Sequence, residues 1–142
     1  MPKGLRHRAR IAALQILFEL EFVAKPPKNV VERTTQQKEL SESASQFAED
    51  IVTGVIANKE FLDSIIGKFA PAFPVSMLAP TDRNILRMAL YEIYLYKTVP
   101  PKVAINEAIE LAKEFGSETS PKFVNGVLGS VMNNISQSNK TD

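Results

Sequence analysis

The chain contains no cysteine, no tryptophan and a single histidine, His7, among its 142 residues. The missing cysteines exclude a disulfide framework, a thiol nucleophile and a zinc ribbon, and the lone N-terminal histidine excludes a Ser-His-Asp relay in a folded core. With no thiol to oxidise, a reducing compartment is the default. Only six glycines are present. None forms a glycine-rich loop before a helix or a G-x-S-x-G turn, so nucleotide cradles and that class of hydrolase drop out. No run approaches the roughly 20 apolar residues that span a bilayer. The start resembles a signal peptide, but Gln15 interrupts the apolar stretch from Ile11 to Phe18, and Glu19 and Glu21 follow it. A soluble, cytoplasmic protein without cofactor or metal, and not an enzyme, is expected. At 44% apolar and 23% charged residues, the composition is that of one globular domain, 1–142.

The net charge of +1 hides an asymmetry. Residues 1–10 carry +4 from Lys3, Arg6, Arg8 and Arg10, and the other 132 residues carry −3. A basic arm on a mildly acidic body fits an end that meets a polyanion, although a solvated run reads the same way.

Apolar spacing is helical throughout and strand alternation is not sustained. Helices are predicted over 5–24, 44–57, 59–69, 80–96, 101–115 and 120–135. In the first, Ile11, Leu14, Phe18 and Phe22 form the inward stripe. Residues 25–45 read as a variable polar connection and 136–142 as a flexible tail. Phe73, Val75 and Leu78 in the proline-rich linker of residues 71–80 are expected to pack inward. Thr81 is a candidate N-cap, Gly116 a left-handed C-cap, and Ser120 an N-cap followed by Pro121 at the first helical position. The linker divides the helices into two groups of three, giving an all-α fold of two three-helix bundles that share one core.

Few residues can carry chemistry. Glu107, Glu110 and Glu114 read as a solvated helix face, Asn106 and Asn125 as buried amides, and Gly126 and Gly129 as a close helix contact. On a helical wheel Lys3, Arg6, His7 and Arg10 share a sector of about 100°, with Arg8 pointing away. Cations at a helix N-terminus oppose the macrodipole, so helix stability does not explain them, whereas phosphate binding does. In the turn before the last helix, Lys122 and Phe123 place an ammonium beside a ring, the combination that holds single-stranded RNA. Core packing is the competing reading of Phe123, and by itself the stronger one.

The string from Val103 to Lys113, then Phe115-Gly116 and Lys122 to Leu128, strongly resembles the C-terminal signature of the NusB family of bacterial transcription antitermination factors. Ile85 to Glu92 and the Arg6-His7-Arg8-Ala9-Arg10 segment resemble its preceding helix and its arginine-rich first helix. The resemblance implies binding of single-stranded boxA leader RNA together with the ribosomal protein NusE. It also implies action within the transcription elongation complex on ribosomal RNA operons. The RNA-contacting set it implies is Lys3, Arg6, His7, Arg8, Arg10, Thr119, Lys122 and Phe123, and it moves Phe123 toward RNA contact. Phe18 and Asp82 fall at positions linked to NusE. His7 replaces a common arginine and Thr119 a common aspartate. A monomer and a homodimer that masks the RNA face are both compatible with it. Two other roles share the pattern: the RNA-handling module of ribosomal RNA cytosine methyltransferases, whose cofactor-binding unit is not seen here, and a protein adaptor without RNA.

Overall fold

The computed structural model describes residues 3–141, with side chains from Gly4 to Gln137; the Lys3 side chain and Asp142 lie outside the described residues. Regular structure among the described residues is helical, as expected, but the chain divides elsewhere than predicted. Its two units are Met1–Asn58 and Lys59–Asp142, holding three and four α-helices. The break falls where Asn58 ends a helix, its side-chain Nδ2 donating back to the Gly54 carbonyl at 2.8 Å. It does not fall at the prolines.

The first unit contains α1 (Lys3–Phe22), α2 (Pro27–Gln37) and α3 (Glu42–Ala57), each packed on the other two. The expected connection over 25–45 is therefore mostly helix. Pro27 starts α2, and Val30, Val31, Thr34 and Thr35 form its buried face. The Thr35 hydroxyl is satisfied by donating to the Val31 carbonyl at 2.9 Å. Arg33 binds Glu19 and ties α2 to α1. Glu39 then turns the chain with a left-handed backbone, φ 52°, and Ser41 caps α3 by accepting from the Ala44 N–H. The buried face of α1 includes Ala9, Ala12, Ala13, Leu14, Ile16 and Leu17, against which α3 sets Ala44, Phe47, Ala48 and Ile51. The alanines let the two helices approach closely. Consequently Phe18 and Phe22 lie on the outer side, not on the inward stripe assigned from spacing.

The second unit is built on α5 (Pro80–Tyr91), which packs against α4 (Lys59–Phe69), α6 (Pro101–Phe115) and α7 (Ser120–Thr141). All seven residues from Asn84 to Leu90 are buried, consistent with an apolar sweep around most of the helix. Buried Arg87 joins α5 to α4 through a two-pronged bridge to Asp63, Nε to Oδ1 at 2.7 Å and Nη2 to Oδ2 at 2.9 Å. A π-helical turn over Glu92–Tyr96 extends α5 and stops at Lys97, whose φ is 54°. Thr81 does not cap α5: the cap position is Ala79, which offers no side-chain hydrogen bond. α7 continues through residues 136–141 where a tail was expected.

Candidate nucleic-acid interface

The start of α1 gathers cations, but not all of them face outward. Arg6 and Arg10 both turn toward α3, their guanidinium carbons 4.8 and 5.1 Å from the centroid of the Phe47 ring. Arg10 is 3% exposed, so here it is a packing cation and not an open phosphate ligand. Arg6 and His7 are half-buried, and the Nε of Arg6 is shielded with no hydrogen-bond partner among the described residues. Arg8, on the opposite side of the wheel, is exposed and donates through Nη2 to the Lys38 carbonyl at 2.6 Å. It neutralises the negative end of α2 in doing so. Arg8, Ile11 and Lys38 enclose a hollow of about 230 Å³. Sequence reasoning missed Lys38, because it was assigned to a polar connection with no fixed place.

The turn before α7 is cross-bonded by its own serines. Ser120 is buried, and its Oγ accepts from the Ser117 N–H at 2.8 Å while lying 3.1 Å from the Ser117 hydroxyl. It staples the turn backwards instead of capping α7, whose first bond runs from the Phe123 N–H to the Thr119 carbonyl. Gly116 has φ −90° and ψ −170°, so it is not the left-handed cap expected. Glycine is needed there for space. A Cβ would sit 2.5 Å from the Ser120 side chain and 2.8 Å from the Ala112 carbonyl oxygen. This frame leaves Thr119 and Lys122 exposed and Phe123 half-buried, with ring surface open for contact. Glu118 adds one carboxylate to the same turn, so its net charge with Lys122 is zero. That favours base contact with one phosphate over a purely cationic grip.

Other expectations divide. Glu107 is buried, while Asn106 and Asn125 are exposed, which reverses their assigned roles. A Cβ at Gly126 or Gly129 would meet no atom within 4 Å, so close helix packing does not account for either glycine. Phe73 is 65% exposed and does not pack inward. Phe18 is 41% and Phe22 64% exposed, their ring centroids 5.0 Å apart, forming an apolar outcrop at the end of α1. Asp82 lies in the first turn of α5, where the helix dipole favours a carboxylate, and its shielded Oδ1 has no partner among the described residues. Among the described residues, no group of three metal-ligating side chains is present and no helix is long and apolar enough to cross a membrane.

Helices that bring cations and rings to the surface define an all-helical protein with surfaces suited to single-stranded nucleic acid. A family model described as the NusB family matches residues 7–133. A transcription antitermination protein NusB from Roseiflexus castenholzii is 44% identical over 139 residues, 96% of this chain and 98% of that one. Another from Herpetosiphon aurantiacus is 45% identical over 134 residues, 92% and 91% of the two chains. Among solved structures, NusB of T. maritima matches with a TM-score of 0.83 and 33% identity over 92% of this chain and 90% of that one. A crystal structure of antitermination factors NusB and NusE with double-stranded RNA matches with a TM-score of 0.84 at 25% identity, covering 94% and 99%. The chain belongs to the NusB family of transcription antitermination proteins.

Proposed function

We propose that this protein binds single-stranded boxA leader RNA together with NusE and, by joining the cytoplasmic elongation complex, sustains transcription of ribosomal RNA operons, without catalysis. The observation that carries this reading is the first turn of α7, which holds exposed Lys122 beside half-buried Phe123 behind a serine-stapled turn. Arg8 supplies a phosphate contact at the start of α1, where Arg6 and His7 belong to the same helical turn, and Lys3 and Thr119 complete the proposed RNA-contacting set. Arg10 acts by holding Phe47. The Phe18–Phe22 outcrop and the unpartnered Asp82 oxygen offer NusE an apolar anchor and an acceptor. That the matching chain comes from a structure of NusB and NusE with double-stranded RNA supports the pairing of an RNA with NusE. A homodimer that masks the RNA face is the alternative to a monomer.

The test is RNA binding by the intact chain with and without NusE, with light scattering to follow the oligomeric state. Asp82→Lys should slow NusE association while leaving the circular dichroism spectrum intact, because it reverses an interface charge. Absence of RNA binding under both conditions would overturn the reading and favour the adaptor role.

A further inference from the structure

We infer that the apolar groove between the α4–α5 loop and the start of α7 receives one unstacked base of the bound RNA, with Phe73 as its aromatic wall. The inference depends on the RNA reading above and extends it to residues outside the family resemblance. Phe69, Phe73 and Leu78 line one side of the groove, and Lys122, Phe123 and Gly126 the other, around a volume of about 490 Å³. That volume lies within the roughly 300–1,000 Å³ of small-ligand clefts.

Three features point to a base. The groove is continuous with the turn that presents Lys122 and Phe123, so a strand whose phosphate meets Lys122 has a nucleotide at its mouth. Its lining residues include no carboxylate and no side-chain acceptor, only apolar surface and one ammonium. A flat ring can bury its face there and keep its polar edge toward water, whereas a peptide would lose side-chain partners for its N–H groups. The third feature is Gly126. A glycine inside a helix is unfavourable relative to alanine, and a Cβ here would touch nothing within 4 Å. The chain's own packing does not require the glycine, and its missing side chain leaves that side of the groove open to a ring. Phe73, held between Pro71 and Pro74 and 65% exposed, is likewise unexplained by packing within its unit.

The probe is a single-stranded boxA RNA and a set of copies each lacking one base. Phe73→Ala should weaken binding by roughly 5- to 150-fold, the range for loss of one stacked base. One abasic copy should lose a similar factor with the unaltered protein and lose nothing further with Phe73→Ala. Gly126→Leu, which fills the groove while raising helix propensity, should weaken binding without lowering the melting temperature. If both variants bind like the unaltered protein while Arg8→Ala still weakens binding, the groove assignment falls and the RNA reading stands. If no RNA binds at all, both fall. If RNA binding is unchanged but NusE affinity drops, the groove belongs to a protein and the assignment is overturned.

Discussion

At the start of α1, two guanidinium groups close on the face of Phe47 and a third reaches the Lys38 carbonyl; at the start of α7, Lys122 stands exposed beside a half-buried Phe123. Both places combine cations with an aromatic ring. In the first, the ring comes from another helix and is buried, so the cations are drawn inward and lock α1 to α3. In the second, ring and cation are neighbours in sequence on the outer turn, and the buried element is Ser120. The same chemistry therefore makes a packing joint in one place and an open contact in the other, according to which helix supplies the ring.

The strongest way to break this contrast is Phe47→Ala. The ring is buried, and its loss should cost roughly 3–5 kcal/mol of stability, read by urea unfolding of the whole chain. A change below 1 kcal/mol, about the scale of a surface substitution, would mean that Phe47 is not the joint. Next in size is the division between Arg10 and Arg8. Arg10→Ala should cost about 2 kcal/mol, from the lost cation–π contact and stem packing, and leave the salt dependence of RNA binding unchanged. Arg8→Ala should reduce the log–log salt slope by roughly 0.7, the value for one phosphate contact on a single strand. If the slope drops with Arg10→Ala, Arg10 leaves the ring to meet RNA.

The turn at α7 can be probed through its frame. Gly116→Ala forces a Cβ against Ser120 and the Ala112 carbonyl, and backbone has little room to yield. A loss of roughly 1–3 kcal/mol in stability is expected, accompanied by weaker RNA binding as Lys122 and Phe123 move. Unchanged RNA affinity with lowered stability would show that the turn's geometry does not set the contact.

Much of this contrast was hidden in the sequence, for identifiable reasons. Helices bounded by prolines, such as α5 and α6, were legible because Pro80 and Pro101 mark first positions and the apolar sweep is wide. α2 was not, because its buried face is half threonine, and Thr35 counts as apolar only once its hydroxyl bonds within the helix. In α1 the wheel grouped Arg6, His7 and Arg10 on one face but could not say which way that face pointed. The large residues Phe18 and Phe22 drew the inward stripe to the wrong side. The run Ala9, Ala12, Ala13 was the usable signal, since small residues mark close helix approach. The aromatic that captures the arginines is 37 residues beyond Arg10, and no local pattern announces it. The Lys122–Phe123 pair was visible because ring and cation are adjacent.

The smallest effect concerns how the first unit holds its polar helix. Glu19 on α1 is held below the usual carboxylate range by its hydrogen bond from Arg33, aided by the positive charges of Arg33 and Lys25, against some desolvation that acts the other way. A carboxylate with a depressed folded-state pKa binds a proton more readily in the unfolded chain. Its contribution is therefore complete above about pH 4.5, the ordinary glutamate value, and fades as pH falls through the lower folded-state value. The pair is partly exposed, so added salt should weaken it. Melting temperature measured between pH 6 and pH 3 should fall more steeply for the unaltered chain than for Arg33→Gln, and the difference should shrink in high salt. Parallel curves would show that α2 is held by Val30, Val31 and its buried threonines alone, and that the cations of this unit which matter to the fold are those on Phe47.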